Sequence, residues 1–286
     1  MALCEADKIR AEMIQMELLS RAASLRPLII EKKPLIHHIT NFVTVNDCAN
    51  ITLAIGAYPI MARDEAEVTE IVSRAAALVL NTGTLSPGAV KAMLLAGKKA
   101  NTLGVPVILD PVGVGASRLR QEAVAELLSR VQISVLKGNM SEIKFLAGLT
   151  AAARGVDATA DSRGSERAAW ELAGRLGCVV AITGRRDVLS DGEKTYYVDN
   201  GQEMLTRVSG TGCMTTSLIA SYCAITGDYL LAALGGLLTM GIAGELAYRT
   251  LQDNEGPGTF KARLFDAVYN LSPAAMKELG AVVAAQ

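Results

Sequence analysis

Short apolar runs alternate along the chain with amphipathic segments whose apolar positions recur at helical spacing. Pro34–Ile39, Ala77–Asn81, Val105–Asp110, Ile133–Lys137 and Val179–Thr183 are nearly continuous Val/Ile/Leu runs, the pattern of parallel strands covered on both faces. The helices between them carry their own end signals. Ser86 before Pro87 reads as an N-cap with proline at the first helical position, Ala89, Met93, Ala96 and Ala100 share a face, and Gly104 is the stop. Ser165 reads as the cap of a later helix with Ala169, Leu172 and Leu176 as its stripe and Gly177 as its end. Strand, helix and strand in turn require right-handed crossovers, so the expected fold is α/β: a three-layer α/β/α sandwich with a mostly parallel central sheet.

Two segments read differently. Tyr196–Val198 and Met204–Val208 flank Asn200-Gly201, a strong turn signal, and are expected to pair as an antiparallel hairpin. Thr150–Arg167 is the most polar stretch and reads as a surface loop entering a helix. No linker, repeat or low-complexity tract divides residues 1–286, which read as a single domain with a helical extension over 1–30.

Composition narrows the function. Half of the 286 residues are apolar and only 20% are charged, enough to bury a large core. With 28 basic and 29 acidic residues the net charge is -1, which supplies no field for nucleic acid or an anionic membrane. Cys4, Cys48, Cys178, Cys213 and Cys223 are scattered without a CxxC pair, and His37 and His38 are the only histidines. Free thiols in a reducing cytoplasm fit this better than a disulfide framework or a zinc site. The N-terminal segment lacks the apolar stretch of a secretory signal. Tyr229–Tyr248 is the one membrane candidate, but its Ala, Gly and Glu245 fit a helix buried in a core or a subunit contact.

Ligands of open α/β sheets bind beyond the carboxyl ends of the strands, so the strand ends hold the candidate chemistry. In Val208-Ser-Gly-Thr-Gly-Cys-Met-Thr-Thr216, two glycines precede an apolar helix expected from about Met214 to Ile225. Free N–H groups and the helix dipole there favour an anion such as a phosphoryl group, although a plain glycine turn has the same letters. Asp110 ends a strand beside Gly113 and Gly115 and suits the water shell of Mg²⁺, or a turn cap. Lys137, Asn139 and Glu142 follow another strand end, where Lys137 can meet a polyphosphate and Glu142 metal-bound water, while Asn139 with Glu142 equally reads as a capping box. Thr183 and Gly184 can contact phosphate or nucleotide. Neither GxxxxGK[ST] nor a strand-associated GxGxxG is present, so a P-loop or dinucleotide fold is not expected.

Taken in order, Ile39–Asn50, Asn81-Thr-Gly-Thr84, Asp110–Ala116, Lys137-Gly-Asn139 with Glu142, Ala181-Ile-Thr-Gly184, Gly210-Thr-Gly-Cys213 and Gly256–Phe260 resemble the hydroxyethylthiazole kinase family of the ribokinase-like superfamily. The match spans about residues 35 to 262. The resemblance implies a ribokinase-like fold without a separate lid domain, and a homotrimer with thiazole pockets at subunit contacts. It implies transfer of the ATP γ-phosphate to the hydroxyl of 4-methyl-5-(2-hydroxyethyl)thiazole. By the same resemblance Asn41, Met61 and Gly210 contact the thiazole, and Lys137, Asn139, Thr183, Gly184 and Gly212 bind ATP. Asp110 and Glu142 organise Mg²⁺, and Cys213 stands where related sugar kinases place a catalytic aspartate. Lys137 and Thr211 depart from the arginine and alanine of many relatives. A thiol is a poor base at neutral pH, so Cys213 is expected to assist the acceptor hydroxyl only modestly. The nearest alternative on the same fold is an ADP- or ATP-dependent dehydratase of a hydrated nicotinamide nucleotide. The compact entry around Asn41 and Met61 favours a smaller substrate.

Overall fold

In a computed structural model, which describes residues 5–148 and 162–285, a nine-stranded sheet forms the centre. Strands β1 (Leu35–Ile39), β2 (Tyr58–Met61), β3 (Ala77–Asn81), β4 (Val107–Asp110), β5 (Val135–Asn139) and β6 (Val179–Thr183) run parallel in the order β2-β1-β3-β4-β5-β6. Three antiparallel strands, β7 (Asp187–Ser190), β8 (Thr195–Val198) and β9 (Val282–Ala284), extend the β6 edge.

Helices cover both faces. On one lie α1 (Glu5–Lys32), α2 (Val45–Ile55), α8 (Thr211–Cys223), α9 (Tyr229–Arg249), α10 (Pro257–Asn270) and α11 (Pro273–Leu279). On the other lie α3 (Val68–Val72), α4 (Pro87–Leu103), α5 (Arg118–Arg130), α6 (Met140–Leu146) and α7 (Ser162–Leu176). Alternation within β3 feeds both cores: Ala77 and Val79 pack against the first layer, Leu78 and Leu80 against the second. This is the expected three-layer sandwich, and the continuous apolar runs are its doubly covered strands.

The expected ends of α4 hold: Ser86 Oγ accepts the Ala89 N–H at 3.2 Å, and Gly104 closes the helix in the left-handed region. Three other expectations need correction. Ser165 does not cap α7; the helix begins at Ser162 and Ser165 is buried in its first turn, so the loop expected over 150–167 is helical from 162 on and otherwise lies outside the described residues. The hairpin at Asn200-Gly201 does not form. Both edges of β8 are taken, by β7 and β9, and Glu203–Arg207 coils into a 3₁₀ turn. Asn200 serves as a bracket instead: Nδ2 donates to Glu245 Oε1 and the Leu279 carbonyl, and Oδ1 accepts the Ala281 N–H.

The third correction is the start of α8. It begins at Thr211, so Gly210 alone precedes it and Gly212 lies in its first turn. The membrane candidate is α9, and 83% of its most apolar window is buried inside the protein. A Cβ at Gly236 would lie 2.8 Å from the Ile219 backbone, so glycine lets α9 pack directly on α8. The N-terminal helix is fastened from within: buried Arg26 donates to the Ile55 carbonyl at the end of α2 and to those of Val268 and Tyr269 near the end of α10.

Candidate functional site

The parallel strands all end on one side, and α8 starts there. Asp110 closes β4 and Lys137 lies on neighbouring β5; both side chains are buried, with Lys137 Nζ 3.8 Å from Asp110 Oδ2. Asp110 Oδ2 accepts hydrogen bonds from Asn81 Nδ2 and Thr216 Oγ1, each at 2.9 Å. Its Oδ1 is buried and accepts none. A buried carboxylate oxygen without a protein donor is an acceptor that a water or a bound ion can satisfy.

Lys137 points at the first turn of α8. A Cβ on Gly212 would lie 2.9 Å from Nζ, so the bare glycine lets the ammonium sit directly against the helix, and a side chain there would push the lysine tip aside. Gly210 is bound as tightly: its φ is +87° and a Cβ would lie 2.4 Å from Thr44 Cγ2. A cation beside the positive end of a helix is unfavourable alone, and the two together attract an anion strongly.

Cys213, half-buried in the same turn, accepts hydrogen bonds at sulfur from Asn41 Nδ2 (3.4 Å) and Asn81 Nδ2 (3.3 Å). Burial foremost, and the Asp110 charge next, push its thiol up, while Lys137 and the side chains of Thr44 and Asn81 oppose that shift. Cys213 is therefore a neutral thiol at neutral pH. Asn41 is buried and its amide is fully committed, since Oδ1 also accepts from the Thr44 N–H and hydroxyl.

Asn139 and Glu142 form the capping box of α6. Asn139 Oδ1 accepts the Glu142 N–H, and Glu142 Oε2 accepts the Asn139 N–H at 2.8 Å. Glu142 Oε1 accepts the Gly113 N–H at 2.8 Å, so this carboxylate ties the loop after β4 to the start of α6. Thr183 and Gly184 end β6 and line a cavity of about 850 Å³ with Asp187, Thr211, Gly212 and Met240. Met61 stands apart, at the end of edge strand β2 with β1 between it and Asn81.

Strand-end reading picks out Asp110, Lys137, Thr183 and the α8 turn, and the fold brings them together. It assigns no role to Asn81, Thr216 or Arg120. Arg120 Nη1 donates to the carbonyls of Thr82 (2.5 Å) and Val112 (2.6 Å), and Nη2 to that of Gly83, clamping the loops after β3 and β4. The one signal for Asn81 is a polar amide at the end of an apolar run, repeated next door by Asp110. No cluster of three or more His, Cys, Asp or Glu that could hold a metal exists among the described residues.

Comparison with known proteins identifies the family. The model of the hydroxyethylthiazole kinase family matches residues 27–274. Hydroxyethylthiazole kinase of Clostridium tetani is 50% identical over 257 residues, 88% of this chain and 93% of that protein. The enzyme of the same name from Thermoanaerobacter pseudethanolicus is 51% identical over 249 residues, 87% and 94% of the two chains. Among solved structures, the hydroxyethylthiazole kinase protein of Pyrococcus horikoshii superposes with a TM-score of 0.84 at 37% identity, covering 93% of this chain and 99% of its own. A Staphylococcus aureus pyridoxal kinase solved with ADP gives a TM-score of 0.62 at 16% identity, covering 88% and 99%, and shares the ribokinase-like fold alone. With the family model spanning most of its length, this chain belongs to the hydroxyethylthiazole kinase family.

Proposed function

We propose that the protein transfers the γ-phosphate of ATP to the primary hydroxyl of 4-methyl-5-(2-hydroxyethyl)thiazole, giving the thiazole phosphate and ADP. The observation that carries this reading is the Lys137 ammonium set against the first turn of α8, beside a cavity large enough for a nucleotide. ATP lies along the strand ends, with Thr183, Gly184 and Gly212 on its cavity wall and Asn139 paired beside Thr183 in the sheet. Lys137 and the free N–H groups of α8 meet the migrating charge without having to reorganise.

Gly210 and Asn41 shape the acceptor side. The Asn41 amide is already engaged, so it fixes the wall of the pocket rather than offering a free polar group. Cys213 faces the acceptor hydroxyl and orients it. Phosphoryl transfer depends chiefly on alignment and charge neutralisation, so a neutral thiol suffices here.

A magnesium ion suits this donor set. The free Oδ1 of Asp110 can receive one of its waters, and the spare lone pairs of Glu142 a second. When bound, the ion screens the charge of the phosphates. The reading also includes a homotrimer whose neighbouring subunit completes the thiazole pocket near Met61. Exposed Phe42, Val43, Leu53 and Tyr58 on that side of the sheet favour a subunit contact there. A cytoplasmic location goes with the ATP supply.

A coupled ADP-release assay tests the activity, with hydroxyethylthiazole, hydroxymethylpyrimidine or no acceptor. ADP release that depends on the thiazole and stops with EDTA is the expected result. Release no faster than without an acceptor, from folded protein, would remove the proposal.

A further inference from the structure

Asn81 ends β3 and is 2% exposed, yet its amide makes four hydrogen bonds. Oδ1 accepts the Gly83 N–H and Asn41 Nδ2, each at 2.9 Å. Nδ2 donates to Asp110 Oδ2 at 2.9 Å and to Cys213 Sγ at 3.3 Å. Both donors and both acceptor positions of the group are used.

The direction of this amide is dictated by its surroundings. A backbone N–H can only donate, so the Asn81 atom facing Gly83 is oxygen, and nitrogen must face Asp110 and Cys213. The same logic fixes Asn41. Its Oδ1 receives the Thr44 N–H at 3.1 Å, which turns Nδ2 toward Asn81 Oδ1 and the sulfur. Two N–H groups therefore point at Cys213 Sγ, and neither can be reversed without orphaning a backbone donor.

A neutral thiol sulfur has two lone pairs and one S–H. With both lone pairs taken, Cys213 is left with its S–H, which the neighbouring Thr44 hydroxyl oxygen can also accept and which a ligand must share or take over. It cannot take the proton of an alcohol unless it first loses its own or gives up one amide bond. Replacing Asn81 frees the sulfur and loosens Asp110 together.

We propose that Asn81 is a positioning residue for phosphoryl transfer, its single amide holding Asp110 and the Cys213 sulfur in one arrangement, so that Cys213 serves the acceptor hydroxyl as a hydrogen-bond donor rather than as a base. The O–P bond to the acceptor forms as the bond to ADP breaks, and the hydroxyl proton passes to an oxygen of the transferred phosphoryl group. The part that concerns the acceptor rests on the kinase reading above. The part that concerns the sulfur does not.

The test is Asn81→Ala with two readouts. In turnover with ATP and hydroxyethylthiazole, kcat falls about 30-fold with both KM values little changed, below the roughly hundredfold cost of a 1 Å misplacement. In a Cys213→Ala background the same change costs at least about threefold less, because part of its effect runs through the sulfur. The second readout is alkylation of Cys213 by iodoacetamide at fixed pH, read on the Cys213 peptide by mass spectrometry. Cys48, Cys178 and Cys223 are buried and compete little. Losing one N–H bond to the developing thiolate slows alkylation about threefold. If Asn81 only fills space, its removal exposes the sulfur and alkylation speeds up.

Faster alkylation, or equal kcat losses in both backgrounds, overturns the proposal. Should Asn81→Ala fail to fold, Asn81→Ser is read by the same criteria. If the unmutated protein does not phosphorylate the thiazole, the kinase reading falls and the alkylation rate alone decides the seat of the sulfur.

Discussion

Lys137 and Asp110 face each other from adjacent parallel strands, Nζ 3.8 Å from Oδ2, with side chains 4% and 1% exposed. The separation is too long for a strong hydrogen bond, because Asn81 and Thr216 already hold that oxygen. The ammonium thus balances the buried carboxylate while keeping its N–H groups for an anion at α8. Lys137→Met is expected to lower kcat/KM about 10²- to 10³-fold, the usual cost of removing a preorganised donor to transition-state charge. It also leaves Asp110 unpaired, a cost of about 3–5 kcal/mol in stability for a broken buried pair. Steady-state kinetics and urea unfolding of the same sample separate the two effects. Unchanged ATP turnover would remove Lys137 from the nucleotide site.

Cys213 is a neutral thiol in the first turn of α8, its pKa raised chiefly by burial, and in the role proposed above it faces the acceptor hydroxyl. Cys213→Ala is expected to lower kcat only about three- to tenfold, since an essential general base contributes about 10²- to 10⁴-fold. A loss of a hundredfold or more, measured with both substrates saturating, would make the thiol a base and contradict the donor role.

Arg120 clamps three carbonyls of the loops that carry Asn81 and Asp110 toward the site. A lysine keeps the charge but loses the planar fork. Arg120→Lys is expected to cost about 1–3 kcal/mol of stability, the range for hydrogen bonds to a charged group. It should also lower kcat while leaving the ATP KM nearly unchanged, because the clamp touches the loops and not the cavity wall. Thermal unfolding and kinetics on one preparation check both.

The histidines carry a pH signature. His38 is buried on β1 with Nδ1 against the Ile36 carbonyl and Nε2 against Ser217 Oγ; burial pulls its pKa down to about 3. Burial lowers His37 as well. The unfolded chain, with histidine near 6.5, binds more protons than the folded one as pH falls below that value. Stability is therefore complete above about pH 6.5 and is lost progressively toward pH 3, by up to about 1.4 kcal/mol per unit from His38. Urea midpoints taken at about pH 7, 6 and 5 should fall, and His38→Asn should flatten the fall. An unchanged slope in the variant would assign the acid loss to other groups.

Much of this fold is legible in the chain. Central strands such as Ala77–Asn81 and Val179–Thr183 are apolar up to their last residue because both faces are covered, so their bounds are plain. Edge strand β2 is four residues with a proline, and β9 is three, too short to stand out. Asn200-Gly201 misleads because the turn signal is local, while Asn200 is employed by Glu245, Leu279 and Ala281, far away in the chain. The site divides in the same way. Lys137, expected at the end of an apolar strand over 133–137, lies in the middle of β5, because pairing with β6 carries that strand on to Asn139. Asp110 announces itself at a strand end and Cys213 at a glycine turn. Asn81 does not, because what a neutral amide does depends on which atoms it faces, and those come from residues 41, 83, 110 and 213. Asn139 and Glu142 satisfy a capping box and a metal-site pattern with the same letters; the capping bonds are present.

The most direct measurement follows the phosphorus. The protein is incubated with [γ-³²P]ATP, Mg²⁺ and hydroxyethylthiazole, and the label is separated into thiazole phosphate, inorganic phosphate and unspent ATP. Thiazole-dependent ADP release alone would not distinguish transfer from ATP hydrolysis stimulated by the thiazole, whereas the position of the label does. Label is expected in the thiazole phosphate in step with ADP formed. Label appearing only as inorganic phosphate, with the thiazole alcohol recovered unchanged, would contradict it.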